Sequence, residues 1–307
     1  MASTQLETVL GLLKKAPFSP NVSEAEQRQG IDKFAEKFPV ESAISVAETT
    51  LGDVAAERLT ANPEGPVLLY LHGGGYVIGS PASHRHLAAR FGKEIDGTVY
   101  SIDYRLAPES PFPAATHDGL TAYRSLLDIV PASRIAIAGD SAGGGLAFAT
   151  ALLVRQHNLP LPACLIGISP WVTLETGNES YDKLAGVDPS LSREIAAYFA
   201  SRYLSGADPR DPLASPLYAD LSGLPPTLLQ VGDRESFFGD ATRMHQSLIA
   251  AGVDSELRVW KEMFHVWHLY WPMLAEGRAA IGEAAQFIKH HCSAESASSP
   301  ATGAGGR

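Results

Sequence analysis

The chain has 307 residues, of which 45% are hydrophobic, and this is enough apolar material for one large core with a small cap. Its 34 acidic and 24 basic residues give a net charge of −10, and Lys and Arg do not cluster, so the composition argues against binding nucleic acid. The apolar run at residues 8–13 is too short to cross a membrane and lacks the features of a secretory signal, so we expect a cytoplasmic protein without a membrane partner.

The two cysteines and ten histidines do not form a metal-binding pattern. Cys164 lies in an apolar run and Cys292 lies at the end of the last predicted helix, which suits buried free thiols better than a disulfide framework. The histidines are scattered, and neither an H-E-x-x-H nor a paired C-x-x-C pattern occurs. We therefore expect neither a metal nor a cofactor.

The order of the predicted elements is typical of an α/β fold. Residues 44 to 61 contain two short β-like stretches around Gly52 and Asp53, which predict an antiparallel hairpin at a sheet edge. From Pro66 onward, apolar strand-like runs alternate with helix-like segments, as in a mostly parallel sheet covered by helices on both faces. The predicted strands are residues 67–71, 99–102, 134–138, 165–168, 227–231 and 256–260. The clearest predicted helices are residues 142–157, 240–251 and 272–291, the last with Pro272 in its first turn.

Two parts of the chain do not follow this alternation. Residues 1–43 precede it, and residues 172–211 interrupt it with several aromatic side chains, so we expect the two segments to pack together as a helical cap. The α/β core then consists of residues 44–171 and 212–292. Residues 293–307 are rich in Ser, Ala and Gly without periodicity, which predicts a disordered tail.

Two glycine-rich turns, each after a predicted strand, indicate the chemistry. Residues 139–143 (GDSAG) have the G-x-S-x-G pattern, in which a sharp strand-to-helix turn exposes a serine, here Ser141, as a nucleophile. Residues 72–75 (HGGG) have the pattern of an oxyanion-hole loop, whose backbone N–H groups stabilise the negative oxygen of a tetrahedral intermediate. Together the two turns predict a serine hydrolase.

A serine hydroxyl is a poor nucleophile at neutral pH, so Ser141 requires a histidine and a carboxylate. In α/β-hydrolases these follow the serine in the order acid, then histidine, on loops after late strands. His265 lies just past the last predicted strand and is the candidate base, whereas His268 lies one helical turn further on. Asp233 and Glu235 both follow the strand that ends at residue 231, and spacing alone does not separate them.

The chain resembles the hormone-sensitive-lipase-like family of α/β-hydrolases, particularly its small bacterial carboxylesterases, over nearly its whole length. Besides the two glycine turns, the resemblance includes residues 103–109 (DYRLAPE), 112–115 (FPAA), 215–217 (SPL) and 224–226 (LPP). It implies an α/β-hydrolase fold with a helical cap. It also implies hydrolysis of short- to medium-chain esters of small molecules through an acyl-enzyme intermediate.

The same resemblance implies roles for individual residues. The implied triad is Ser141, Glu235 and His265, so the acid is Glu235 rather than Asp233. The implied oxyanion donors are the N–H groups of Gly73, Gly74 and Ala142. One departure concerns the acid, because most members carry Asp in an Asp-Pro-Leu context, whereas this chain has Glu followed by Ser and Phe, as a subset of the family does.

The substrate and the oligomeric state are less well specified. Four aromatic residues are candidates to line an apolar substrate pocket, with ordinary core packing as the alternative for each: Phe34, Trp171, Tyr198 and Phe199. Lactones and aryl esters are alternative substrates, and a non-catalytic small-ligand receptor on the same scaffold is the alternative from another functional class. The predicted strand at residues 256–260 is a candidate for a homodimer contact, unless the chain's own lid covers it.

Overall fold

One eight-stranded sheet forms the centre of the computed structural model, which describes residues 3–15 and 19–292. The strands are β1 (Ser45–Leu51), β2 (Val54–Thr60), β3 (Val67–Leu71), β4 (Thr98–Ile102), β5 (Ile135–Asp140), β6 (Cys164–Ile168), β7 (Thr227–Gly232) and β8 (Ser255–Trp260). Their order in the sheet is β1-β2-β4-β3-β5-β6-β7-β8. The pairs β1–β2 and β2–β4 are antiparallel and the other pairs are parallel, which confirms the predicted mostly parallel sheet.

Helices cover both faces of the sheet. The helices are α1 (Thr4–Lys15), α2 (Glu24–Ala35), α3 (Pro81–Ile95), α4 (Ala114–Leu127), α5 (Ala142–Gln156), α6 (Ser180–Lys183), α7 (Arg193–Leu204), α8 (Phe238–Ala250) and α9 (Ala275–His291). Short 3₁₀ helices span Ala132–Arg134, Pro216–Tyr218 and Trp267–Tyr270. Strand β3 shows how the core divides. Its alternate residues Val67, Leu69 and Leu71 pack with α4, α5 and α8, whereas Leu68 and Tyr70 pack with α3 and α9.

The predicted edge hairpin is present, and its turn explains its register. Leu51 pairs with Val54 across Gly52 and Asp53, and Gly52 has a φ of 64°, which a glycine adopts without steric cost. Strand β1 is exposed along most of its length, as expected of an outer strand. The hairpin joins the sheet through β2, which pairs with β4.

Strand boundaries agree with the predictions to within two residues, but two helices begin elsewhere. Helix α9 begins at Ala275, so the prediction that Pro272 lies in its first turn is wrong. The reason is that Leu274, just before the helix, has an extended backbone (φ −120°, ψ 122°), which separates Pro272 from the first helical turn. Helix α8 begins at Phe238, two residues earlier than predicted.

Helix α2 contacts the insertion at residues 172–211, whereas α1 packs against residues 263–274. The carboxylate of Glu24 in α2 accepts hydrogen bonds from Tyr198 and Arg202 of α7. Arg28, also in α2, donates to the backbone carbonyl of Val77, just after residues 72–75, and to that of Ala107, so α2 is fixed to two loops of the α/β core. The domain boundaries at residues 43, 171 and 211 remain predictions.

The cysteine prediction and the tail prediction differ in outcome. Cys164 at the start of β6 and Cys292 at the end of α9 are both free and buried, as predicted. Residues 293–307, predicted to be disordered, lie outside the described residues.

Candidate active site

Ser141 lies between β5 and α5 in a turn that close backbone packing fixes. Its φ of 54° and ψ of −120° are rare for a residue with a side chain. The glycines on either side allow this close packing. A Cβ atom at Gly139 would lie 2.2 Å from the carbonyl oxygen of Gly143, and one at Gly143 would lie 2.0 Å from that of Leu71. We call residues 139–143 the nucleophile turn.

Three distant parts of the chain meet at this serine. His265, in the loop after β8, places Nε2 2.9 Å from Ser141 Oγ and Nδ1 2.8 Å from Glu235 Oε2. Glu235 lies in the loop after β7, here called the acid loop (residues 233–237), and its side chain is fully buried. Hydroxyl, imidazole and carboxylate therefore form one hydrogen-bonded series, which is the geometry of a Ser-His-acid triad.

The carboxylate of Glu235 is surrounded by hydrogen-bond donors. Oε1 accepts from the Gly232 N–H at 2.6 Å and from the Ser169 hydroxyl at 2.8 Å, while Oε2 faces His265. Burial raises the pKa of Glu235 above its usual range, and the hydrogen bond with His265 opposes this rise. These donors favour the ionised form that the triad requires.

The alternative acid and base have other partners. Asp233 Oδ1 accepts the Glu262 N–H at 2.7 Å and so closes the turn between the loops after β7 and β8. His268 Nε2 lies 3.0 Å from Gln230 Oε1, and burial lowers its pKa to about 3. Neither residue contacts Ser141 in the described part of the chain.

Residues 72–75, here called the oxyanion loop, contain both engaged and free donors. His72 Nδ1–H donates to the Gly73 carbonyl at 2.8 Å, and burial lowers the pKa of His72 to about 3, so this histidine holds the loop while neutral. The Gly73 N–H, predicted to be an oxyanion donor, instead donates to Asp140 Oδ1 at 3.0 Å. Within residues 3–15 and 19–292, the N–H groups of Gly74 and Gly75 have no acceptor.

Ala142 completes this group of donors. It is the first residue of α5, where a backbone N–H has no partner inside its own helix. It follows Ser141 directly, so its N–H lies beside the nucleophile and at the positive end of the helix dipole. Within the part of the chain that the structure describes, the N–H groups of residues 74, 75 and 142 are therefore without an acceptor.

The four predicted pocket residues fall into two pairs. The ring of Trp171 stacks on Phe237 with a centroid distance of 5.6 Å, and Phe237 in turn meets His265 at 5.0 Å. Phe199 lies against the oxyanion loop, because a Cβ atom at residue 75 would be 2.4 Å from its Cγ. Of the other pair, Tyr198 packs edge-to-face on Phe199 with a centroid distance of 5.3 Å, whereas Phe34 lies in a separate aromatic cluster. Tyr198 donates to Glu24, and Phe34 packs with Phe38 and Tyr270.

Three residues at the site were not among the predicted ones. Gly75 could have been found, because it is the last glycine of the H-G-G-G pattern. Ser169 contacts Glu235 from the end of β6, and Asp188 of the cap accepts the N–H of Ser236, next to Glu235, at 2.7 Å. No local sequence pattern marks these two contacts, because they join residues 66 and 48 positions apart.

Among residues 3–15 and 19–292, no helix has the length and apolarity that a membrane crossing requires. Within the same residues, His, Cys, Asp and Glu side chains do not come together in groups of three that could hold a metal ion.

Comparison with known proteins identifies the family to which this chain belongs. A family model described as the alpha/beta hydrolase fold matches residues 68–269. An acetyl-hydrolase of Streptomyces hygroscopicus is 42% identical over 291 residues, which are 94% of this chain and 97% of that protein. These matches confirm the predicted fold class.

Solved structures agree with this placement. The crystal structure of an esterase from the bacterial hormone-sensitive lipase family matches with a TM-score of 0.93 and 40% identity, over 95% of this chain and all of that chain (100%). The structure of the protein EstE5 soaked with p-nitrophenyl butyrate has a TM-score of 0.90 and 40% identity, over 95% of this chain and 99% of that one. The predicted resemblance is thereby confirmed.

Proposed function

We propose a serine carboxylesterase activity for this chain, which belongs to the α/β-hydrolase family and, within it, to the bacterial esterases of the hormone-sensitive-lipase type. The observation that carries the proposal is the hydrogen-bonded series at the site. Ser141 Oγ lies 2.9 Å from His265 Nε2, and His265 Nδ1 lies 2.8 Å from Glu235 Oε2. A base within this distance can accept the serine proton, and a buried carboxylate can stabilise the imidazolium that forms.

In the proposed reaction, His265 accepts the proton of Ser141 as the hydroxyl oxygen attacks the ester carbonyl. His265 then donates that proton to the leaving alcohol, and the acyl group stays on Ser141. In the second half, His265 accepts a proton from water, whose oxygen attacks the acyl-enzyme carbonyl. The bond between the acyl carbon and Ser141 Oγ then breaks, His265 returns the proton to Oγ, and the acid is released. Glu235 stays ionised throughout.

We assign the oxyanion hole in this reaction to the N–H groups of Gly74, Gly75 and Ala142, which have no other acceptor among the described residues. Gly73 supports the loop through its bond to Asp140 rather than donating to substrate. Donors fixed by a rigid backbone stabilise the developing charge without reorganisation during the reaction.

For the substrate we propose short- to medium-chain esters of small molecules. Trp171 lies beside Phe237 next to the imidazole, and Phe199 lies on the oxyanion loop, so both can contact an acyl chain on the serine. Tyr198 and Phe34 are proposed for the outer part of the pocket, in the cap. EstE5 was soaked with p-nitrophenyl butyrate, an ester with a short acyl group, and we propose esters of this kind for the present chain.

A series of p-nitrophenyl esters with acetyl, butyryl, octanoyl and palmitoyl groups tests the proposal, with lactones and anilides in parallel. We expect the first three to be hydrolysed and Ser141→Ala to lower kcat by about 10⁴-fold or more while the protein stays folded. An organophosphonate should label the wild-type protein at one equivalent, measured by intact mass. Full turnover by Ser141→Ala, or absence of labelling as in a receptor, would refute the proposal.

We also propose that β8 mediates a homodimer. Among the described residues it is the last strand of the sheet and pairs only with β7, and it exposes 49% of Val259. An exposed strand edge can pair with a second copy. Analytical ultracentrifugation of the wild type and Val259→Lys should show a dimer and a monomer respectively, and equal masses for the two would contradict this contact. The cytoplasmic location remains a prediction.

A further inference from the structure

Ser169 occupies a position that the triad alone does not explain. It follows the last residue of β6 directly, is fully buried, and has a φ of 44°. Its hydroxyl donates to Glu235 Oε1 at 2.8 Å and accepts the N–H of Val266 at 3.1 Å. A single oxygen atom therefore joins the acid loop to the residue that follows His265.

We infer that Ser169 is a positioning residue that sets both the ionisation of Glu235 and the placement of His265. The inference rests on the proposed function, because it assigns Ser169 a role through the proposed acid and base. Glu235 is buried away from water, so its negative charge is stabilised only by the donors around it. Gly232 and Ser169 are the two donors on Oε1, and only Ser169 also contacts the chain beside His265.

The backbone at Ser169 supports this assignment. A φ of 44° is uncommon for a residue with a side chain, and glycine would adopt it at lower cost. The serine at this position has a hydroxyl group that can donate one hydrogen bond and accept another at the same time. Alanine would have the same backbone strain and neither hydrogen bond. The hydroxyl is therefore the feature that distinguishes Ser169 from its simpler replacements.

Loss of this hydroxyl should change the pH dependence of the reaction in a defined direction. Without the Ser169 donor, the anion of Glu235 is less stable, so its pKa rises further. The carboxyl group then becomes protonated at a higher pH and no longer stabilises the imidazolium. The acidic limb of the kcat/KM profile should therefore move to higher pH.

The experiment compares Ser169→Ala with Ser215→Ala, a matched control. Ser215 is also fully buried, and its hydroxyl also donates to one group, the Pro209 carbonyl, and accepts from another, the Leu174 N–H, but it does not contact the triad. For Ser169→Ala we expect kcat to fall about 10-fold or more with KM nearly unchanged. We expect the midpoint of its acidic limb to move to higher pH by about half a unit or more, with no such shift in the control.

A second variant, Ser169→Gly, removes the hydroxyl from a backbone that suits glycine, and it should give the same shift. Rates are expressed per active site, counted by phosphonate labelling. If the acidic limb of both Ser169 variants has the same midpoint pH as that of Ser215→Ala, the inference is overturned. Unfolding of both variants while Ser215→Ala folds would also overturn it, because the role would then be structural. If instead Ser141→Ala and Glu235→Gln remain active, the proposed triad itself has failed.

Discussion

The nucleophile turn and the acid loop hold their catalytic groups by different means. Ser141 is fixed by backbone atoms packed so closely that its neighbouring glycines have no room for a side chain. Glu235 is fixed by hydrogen bonds from side chains and backbone N–H groups that come from separate parts of the chain. One half of the site is thus set by shape and the other by polar pairing.

This difference predicts different failures. In the nucleophile turn, an added methyl group displaces the backbone, and the sheet and α5 are affected with it. In the acid loop, a change that preserves the shape but removes a donor or a charge leaves the fold intact and changes the ionisation or tautomer of the triad. The four substitutions below test this contrast, from the largest expected effect to the smallest.

Gly143→Ala should cause the most severe loss. Its Cβ atom would lie 2.0 Å from the Leu71 carbonyl oxygen, and backbone at that distance must shift. We expect the free energy of unfolding to fall by about 3 kcal/mol or more, and activity to be lost with it. Urea denaturation provides the measurement. The control is Gly282→Ala, because nothing lies within 4 Å of its Cβ position and alanine is the better helix former. Equal stability of the two variants would contradict the packing argument.

Glu235→Gln should retain the fold and lose most activity. If the amide oxygen accepts from Gly232 and Ser169, the NH₂ group faces His265 Nδ1, which must then be an acceptor. The imidazole is held in the wrong tautomer, and Nε2 no longer accepts the serine proton. We expect kcat to fall about 10³- to 10⁴-fold with an unchanged circular dichroism spectrum.

The control for Glu235→Gln is Asp233→Asn, which tests the other carboxylate of the acid loop. Its amide oxygen can still accept the Glu262 N–H, so kcat should change by no more than about threefold. A larger loss in Asp233→Asn than in Glu235→Gln would show that the acid is assigned to the wrong residue.

Asp188→Asn should have a moderate effect from within the cap. Oδ1 of Asp188 accepts the N–H groups of Ser190 and Leu191, while Oδ2 accepts that of Ser236, so one amide oxygen cannot replace both. We expect kcat to fall by up to about 10-fold. Because the charge of Asp188 raises the pKa of Glu235, its removal should move the acidic limb to lower pH, opposite to Ser169→Ala.

The control for this cap substitution is Asp182→Asn. Asp182 is 76% exposed and pairs with Arg193 within the cap, so its loss should leave kcat and the pH profile unchanged. If both variants behave alike, the cap does not hold the acid loop.

Asp240→Asn should change only the pH dependence of stability. Asp240 lies in the first turn of α8, just after the acid loop, and burial raises its pKa to about 7, whereas an unfolded Asp has a pKa near 3.9. Between these values the folded chain binds a proton that the unfolded chain does not, so this group makes stability fall as pH rises from about 4 to 7. In the variant that contribution is absent. Melting temperatures at pH 5 and pH 8 should therefore differ less than in the wild type, and an equal difference would contradict the burial effect.

The sequence predicted the shape-based half of the site better than the polar half. The G-x-S-x-G pattern locates Ser141, and the order of late strands locates His265, because parallel strands bring their carboxyl ends to one sheet edge. The geometry also joins Glu235 to His265. Spacing alone did not exclude Asp233 as the acid of the triad, because both carboxylates follow the same strand and differ only in the direction of their side chains.

What the sequence did not provide are contacts between side chains of distant segments. The Gly73 N–H is engaged because Asp140, 67 residues away, lies beside it once β3 and β5 pair. The bond between Ser169 and Val266 likewise joins residues 97 apart. Such pairs depend on the register of the sheet and the path of each loop, and neither leaves a periodic pattern.

The left-handed backbone at Ser141 has a consequence for engineering. Glycine would relieve the strain there, so Ser141→Gly removes the nucleophile and the conformational penalty together. A screen that rewards thermal tolerance alone would thus favour an inert enzyme at this position. A selection for more thermostable variants therefore has to measure turnover at the same time.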